Sequence, residues 1–118
     1  MTPEDRLQIS VARFLDVALP DGAVFFHVAN ERKTVSPQEG ARLKQKGVKP
    51  GVPDICIVYR ARVIFIELKT KDGRVRSSQS EMMSALTMAG AVVNVCRSLE
   101  DVQGFLATII PLKGRLAA

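Results

Sequence analysis

Apolar positions along this chain change period several times, and each change marks an element. From Pro3 to Ala18, the residues Leu7, Val11, Phe14, Leu15 and Ala18 recur at three- and four-residue intervals, which predicts a helix burying those side chains. Thr2-Pro3-Glu4-Asp5 opens it with an N-cap, a first-turn proline and two acidic residues facing the helix dipole. Ala23 to Val28 reads as a strand. Ser36-Pro37-Gln38-Glu39 has the form of a capping box and opens a helix that Gly47 ends. Ile55 to Tyr59 and Val63 to Ile66 are runs of mostly β-branched and aromatic residues around a short polar break, a hairpin signal. Neither run alternates polar with apolar, so both strands are expected to be covered on two faces.

Lys71-Asp72-Gly73-Arg74 is a polar turn, and Ser78-Gln79-Ser80-Glu81 is a second capping box. It starts a helix that stops at Gly90 and carries Met82, Met83 and Met88, with its apolar side packing as core. Ala91 to Cys96 is a strand, and Ser98 caps a last helix that ends before Pro111. Its Phe105, Leu106, Ile109 and Ile110 are expected to cover the sheet. The order helix, strand, helix, two strands, helix, strand, helix predicts an α/β sandwich around a central mixed sheet flanked by helices. One domain over residues 1–112 accounts for the pattern, with 113–118 as a loose tail.

Charge changes the picture, because it is unevenly spread. Of the net +5, residues 31–76 hold 12 basic and 5 acidic residues, a local +7, leaving −2 for the rest. Arg32, Lys33, Arg42, Lys44, Lys46, Lys49, Lys71, Arg74 and Arg76 fall in this block and suit a phosphate backbone. Aromatic residues are 5% of the chain and hardly interleave with the basic ones, so base stacking is not suggested. There is no long apolar run and no basic-then-apolar leader, so a soluble cytoplasmic protein with no membrane partner is expected. Cys56 and Cys96 sit within apolar strands and read as buried thiols of a reducing compartment. His27, the only histidine, reads as a hydrogen-bonded, partly buried residue, since one histidine makes no zinc site.

The hairpin carries the candidate chemistry. Pro53-Asp54 precedes its first strand and Glu67-Leu68-Lys69 ends its second. If the turn is the two residues Arg60-Ala61, Tyr59 pairs with Arg62 and Asp54 falls opposite Glu67, with Cβ atoms roughly 5 Å apart. Lys69, two residues on, points to the same face. Arg-Ala is a poor tight-turn pair, however, and a one-residue slip would separate the carboxylates. In the first register, two carboxylates and a lysine are the minimal equipment for holding a hard divalent cation and activating a water.

At these residues the chain resembles the PD-(D/E)xK nuclease superfamily, and more narrowly its VRR-NUC branch. The narrower likeness rests on Glu4 and Gln8 in the first helix and Asn30-Glu31 after the first strand. It continues through Gly47-Val48-Lys49-Pro50-Gly51-Val52-Pro53-Asp54 and Glu67-Leu68-Lys69, and ends with Gln79 opening the next helix. The resemblance implies a restriction-endonuclease-like fold and a metal-dependent DNA endonuclease. Asp54 and Glu67 would bind Mg²⁺ or Mn²⁺ with the Leu68 carbonyl and waters, and Glu4 would reach the metal through water. Lys69 would orient or deprotonate the attacking water, and Gln79 would position Lys69 or a phosphate. Asn30, Glu31 and Gln8 would line the site. Duplex or branched DNA, four-way junctions among them, is the implied partner, and a homodimer suits a chain too small to read DNA alone. The other reading is a non-catalytic DNA-binding module or specificity subunit, for which acidic residues in a basic groove are a handicap.

Overall fold

The computed structural model describes residues 1–29 and 36–114. Its elements follow the expected order: α1 (Pro3–Ala18), β1 (Val24–His27), α2 (Pro37–Gln45), β2 (Ile55–Tyr59), β3 (Arg62–Leu68), α3 (Ser77–Met88), β4 (Val92–Cys96) and α4 (Leu99–Ala107). The sheet runs β1-β2-β3-β4. β2 is antiparallel to both of its neighbours, β1 and β3, and β4 lies parallel to β3 after the crossover through α3. The chain is thus an α/β fold around a mixed sheet.

Stability is concentrated on one face of that sheet. Ile55 and Ile57 of β2 and Ile64 and Ile66 of β3 are at most 2% exposed there. Val11, Leu15 and Ala18 of α1 and Val102 and Leu106 of α4 belong to the same core. Each fully buried aliphatic side chain of this size contributes roughly 1.5–3 kcal/mol. α1 starts on a reciprocal cap, in which Thr2 Oγ1 accepts from the Asp5 N–H and Asp5 Oδ2 from the Thr2 N–H, both at 3.1 Å. At the other end of α1, Lys113 N–H donates to the Ala18 carbonyl at 2.7 Å.

The opposite face departs from the expectation of full cover. Val24, Phe26, Val58 and Val63 are 60, 50, 38 and 37% exposed. Val24 pairs with Val58 and Val58 with Val63, so they form one cross-strand row on that face. Neither α2 nor α3 buries a residue, and α3 packs along β4 at the sheet's edge instead of across its middle. The methionines of α3 are accordingly not core, and Met88 is 88% exposed. The second capping box is also displaced: α3 begins at Ser77 with Arg76 as its cap, two residues before the Ser78 cap expected. In α2 only half of the box forms, with Ser36 Oγ accepting from the Glu39 N–H while the Glu39 carboxylate turns to Arg42.

The hairpin adopts the two-residue turn, and Tyr59 pairs with Arg62. Arg60 and Ala61 have φ of 46° and 66°, the left-handed conformations of a type I′ turn. Neither residue favours them, so packing decides the register. A one-residue slip would turn either Ile55 and Ile57 or Ile64 and Ile66 out of the core, which costs more than two strained turn residues. Arg60→Asn with Ala61→Gly is therefore expected to stabilise the protein by about 1 kcal/mol, read as a higher urea midpoint. A lower midpoint would count against a strained turn.

Candidate active site

β2 begins and β3 ends beside a cleft of about 330 Å³. Continuing the observed pairing of Ile55 with Ile66 by one step sets Asp54 opposite Glu67, on the face away from the main core. Lys69 shares that face. Main-chain bonds fix the surroundings: Val28 N–H donates to the Asp54 carbonyl at 2.7 Å and Lys69 N–H to the Cys96 carbonyl at 3.0 Å.

The side chains are held as firmly. Asp54 Oδ2 accepts from the Leu68 N–H at 2.7 Å, a bond from the neighbouring strand to the carboxylate itself. Gln79 Nε2 donates to Glu67 Oε2 at 3.0 Å, and Lys69 Nζ lies 3.5 Å from that oxygen. Gln79 Oε1 meanwhile accepts from the Arg76 N–H at 2.9 Å, so one side chain caps α3 and steadies Glu67. Glu67 is 3% exposed, the buried charged residue among those described. Burial, and next the charge of Asp54, push its carboxyl up to about 7. Burial likewise raises Asp54, against the opposing bond from Leu68. Two carboxylates opposite each other, both raised in pKa, with one lysine beside Glu67, form a site short of positive charge. That donor set fits a divalent cation.

Glu4 and Gln8 of α1 line the same cleft, as do Leu68, Lys69 and Gln79. The Glu4 charge acts on Asp54 and raises its pKa further. Among the described residues no three of His, Cys, Asp and Glu are grouped closely enough to hold an ion by themselves. Magnesium commonly takes one or two carboxylates and keeps several waters, which the pair Asp54 and Glu67 can satisfy.

Of the basic residues expected to meet the phosphate backbone, Arg76 lines the cleft. Lys44, Lys46, Lys49, Lys71 and Arg74 are exposed outside it. Arg97 fixes the loop bearing Lys71 and Arg74, donating through Nη1 to the Thr70 and Gly73 carbonyls at 2.8 and 2.6 Å. Asn30, Glu31, Arg32 and Lys33 lie outside the described residues.

Two positions carry more than their residue types announced. Gly51 (φ +80°) packs so tightly on the first turn of α3 that a Cβ there would stand 2.2 Å from the Ser78 carbonyl oxygen. The Pro50-Gly51 dipeptide was the available signal. His27 is hydrogen-bonded as expected but exposed, and it faces the cleft. Its pairing partner in β2, Ile55, is the neighbour of Asp54, and that proximity comes from the sheet order.

A model of the VRR-NUC domain matches residues 3–100, which include every candidate residue above. The chain belongs to the VRR-NUC family. Two solved structures share its fold. One, described as a VRR_NUC domain protein, is 24% identical, covers 93% of this chain and 89% of its own, and superposes with a TM-score of 0.68. The other, described as a VRR_NUC domain, is 20% identical over 92% of this chain and 99% of its own, with a TM-score of 0.61. No curated protein matches the sequence. Within this VRR-NUC domain, then, the cleft is built by the start of β2, the end of β3 and the first turns of α1 and α3. No helix among the described residues is long and apolar enough to cross a membrane.

Proposed function

We propose that this VRR-NUC chain is an endonuclease that hydrolyses phosphodiester bonds of DNA with Mg²⁺ or Mn²⁺ as cofactor. The observation that carries the reading is the pairing of Asp54 with Glu67 on one sheet face, both raised in pKa, with Lys69 at 3.5 Å. Asp54 and Glu67 would hold the ion together with the Leu68 carbonyl, with Glu4 acting through water. A divalent ion so bound lowers the pKa of a coordinated water and offsets charge on the scissile phosphate. Lys69, 12% exposed in its side chain, is positioned to orient that water or to meet the charge developing on phosphorus. Gln79 keeps the Glu67 carboxylate turned toward the cleft. Arg76, Lys44, Lys46, Lys49, Lys71 and Arg74 supply charge for the DNA backbone. A module that only bound phosphates would have no use for a buried Glu67, whose charge costs free energy to hide.

Branched DNA, four-way junctions in particular, is the substrate we propose, with a homodimer cutting two strands. The exposed apolar row of Val24, Val58 and Val63 is consistent with a protein partner on that face. Val102 and Leu106 of α4 are spent on the core.

The test is cleavage of labelled duplex and four-way-junction DNA with Mg²⁺, Mn²⁺ or EDTA, alongside sedimentation analysis of the same protein. Asp54→Ala is expected to remove cleavage, and Lys69→Ala to lower it roughly 10²–10³-fold, the usual scale for one transition-state contact. Cleavage that persists in EDTA, or that Asp54→Ala leaves intact, overturns the assignment. Equal cleavage of duplex and junction, or a monomer at assay concentration, overturns the finer part alone.

A further inference from the structure

His27 has no part in the mechanism above, yet its ring touches the metal-site strand directly. Its Nδ1 lies 2.9 Å from the main-chain oxygen of Asp54, and the Gln8 side-chain amide reaches the same nitrogen from α1. A carbonyl oxygen only accepts, so the ring proton belongs on Nδ1. With the Gln8 amide turned over, which leaves its shape unchanged, its oxygen shares that one proton with the Asp54 carbonyl in a three-centre bond. The same Asp54 oxygen takes the Val28 N–H at 2.7 Å, and Asp54 Oδ2 takes the Leu68 N–H at 2.7 Å.

Asp54 is therefore clamped from both flanking strands. The contacts from Val28 and Leu68 are main-chain bonds that any side chain at those positions would supply. The contact from His27 depends on this side chain, and through Gln8 it ties in the helix that carries Glu4. Asp54 needs such a clamp, because it stands at the junction where the loop ending at Pro53 becomes β2. A carboxylate's place depends on the peptide unit that carries it, and His27 adds a side-chain bond to the main-chain bond already holding the Asp54 carbonyl.

We propose that His27, backed by Gln8, is a positioning residue for Asp54 that sets the affinity of the Asp54–Glu67 pair for a divalent cation. The proposal rests on the metal-site reading above. Contacts one step removed from a metal ligand typically change metal affinity 10- to 100-fold when removed.

The experiment is calorimetric titration of Mn²⁺ into the DNA-free protein, compared across wild type, His27→Leu, His27→Asn, Gln8→Ala and Asp54→Ala. His27→Leu is expected to weaken Mn²⁺ binding about 10-fold or more. His27→Asn keeps a donor where Nδ1 stands and should recover most of the loss, which a packing role for the ring would not produce. Gln8→Ala should fall between the two, and it keeps the test decisive if His27→Leu does not fold. In cleavage, the His27→Leu defect should shrink as Mn²⁺ is raised, with KM for DNA unchanged. Wild-type affinity in both His27→Leu and Gln8→Ala, or His27→Asn as weak as His27→Leu, overturns the proposal while Asp54→Ala still abolishes binding. Undiminished Mn²⁺ binding by Asp54→Ala overturns the metal-site reading itself, and this proposal with it.

Discussion

Glu67→Gln is expected to make the metal-free protein more stable at pH 8 while removing metal-dependent cleavage. The Glu67 carboxyl, ordinarily near 4.5, is pushed up to about 7 by burial and by Asp54. Between those values the folded chain keeps a proton that the unfolded chain has lost. Folding therefore takes up a proton, and stability falls as pH rises through this window. The contribution is full below about 4.5 and gone above about 7, an order of 3 kcal/mol if the whole shift is realised. Burial shifts Asp54 in the same direction and adds to the trend. Glutamine keeps the shape and carries no charge, so the variant should lose most of this slope.

Thermal melts in EDTA at pH 5 and pH 8 check it. A domain of this size shifts by roughly 4–8 °C per kcal/mol, so the wild-type midpoint should drop by about 10 °C or more and the variant's far less. Mg²⁺ should restore wild type at pH 8 and do nothing for Glu67→Gln, because only the former gains by binding. A wild-type midpoint that stays flat between pH 5 and pH 8 would remove the electrostatic basis of the site.

Gly51→Ala is expected to be strongly damaging for the addition of a single methyl group. The added Cβ would sit 2.2 Å from the Ser78 carbonyl oxygen and 2.9 Å from the Gln79 nitrogen, both main-chain atoms of α3. The residue's φ of +80° adds strain of its own. The loop leading to Asp54 and the first turn of α3 must part, and Gln79 then leaves Glu67. A loss of about 3 kcal/mol or more is expected from overpacking and backbone strain together, with cleavage down at least 100-fold. Gly47→Ala is the control. Its φ is +92° but nothing lies within 4 Å of the added Cβ, so strain alone applies, on the order of 1 kcal/mol. Urea denaturation and cleavage assays compare the two, and equal effects would refute the close-approach argument.

The contrast between these glycines shows how far the sequence could be read. Both punctuate the segment before Asp54, and composition cannot tell them apart. Only the packing of Gly51 on α3 separates a glycine that merely ends a helix from one that admits a backbone. The displaced cap of α3 has the same cause. Ser78 looks the better cap locally, but Gln79 is wanted by Glu67, and its other end then satisfies the Arg76 N–H. Met82, Met83 and Met88 misled in the opposite sense, because helical spacing says which residues share a side and not whether anything covers it.

By itself the sequence determined the element order and the α/β architecture, and it named Asp54, Glu67 and Lys69 as candidates. Element order follows from local periods and the candidates from residue types at two strand ends, while a possible one-residue slip left open whether the two carboxylates meet. The tertiary structure decided what depends on residues distant in the chain. Burial of Ile55, Ile57, Ile64 and Ile66 against α1 and α4 held the hairpin in register over an unfavourable Arg-Ala turn. Pairing of β1 with β2 then brought His27 and Gln8 to the Asp54 peptide, because strand order is a property of the whole sheet and is written in no single strand.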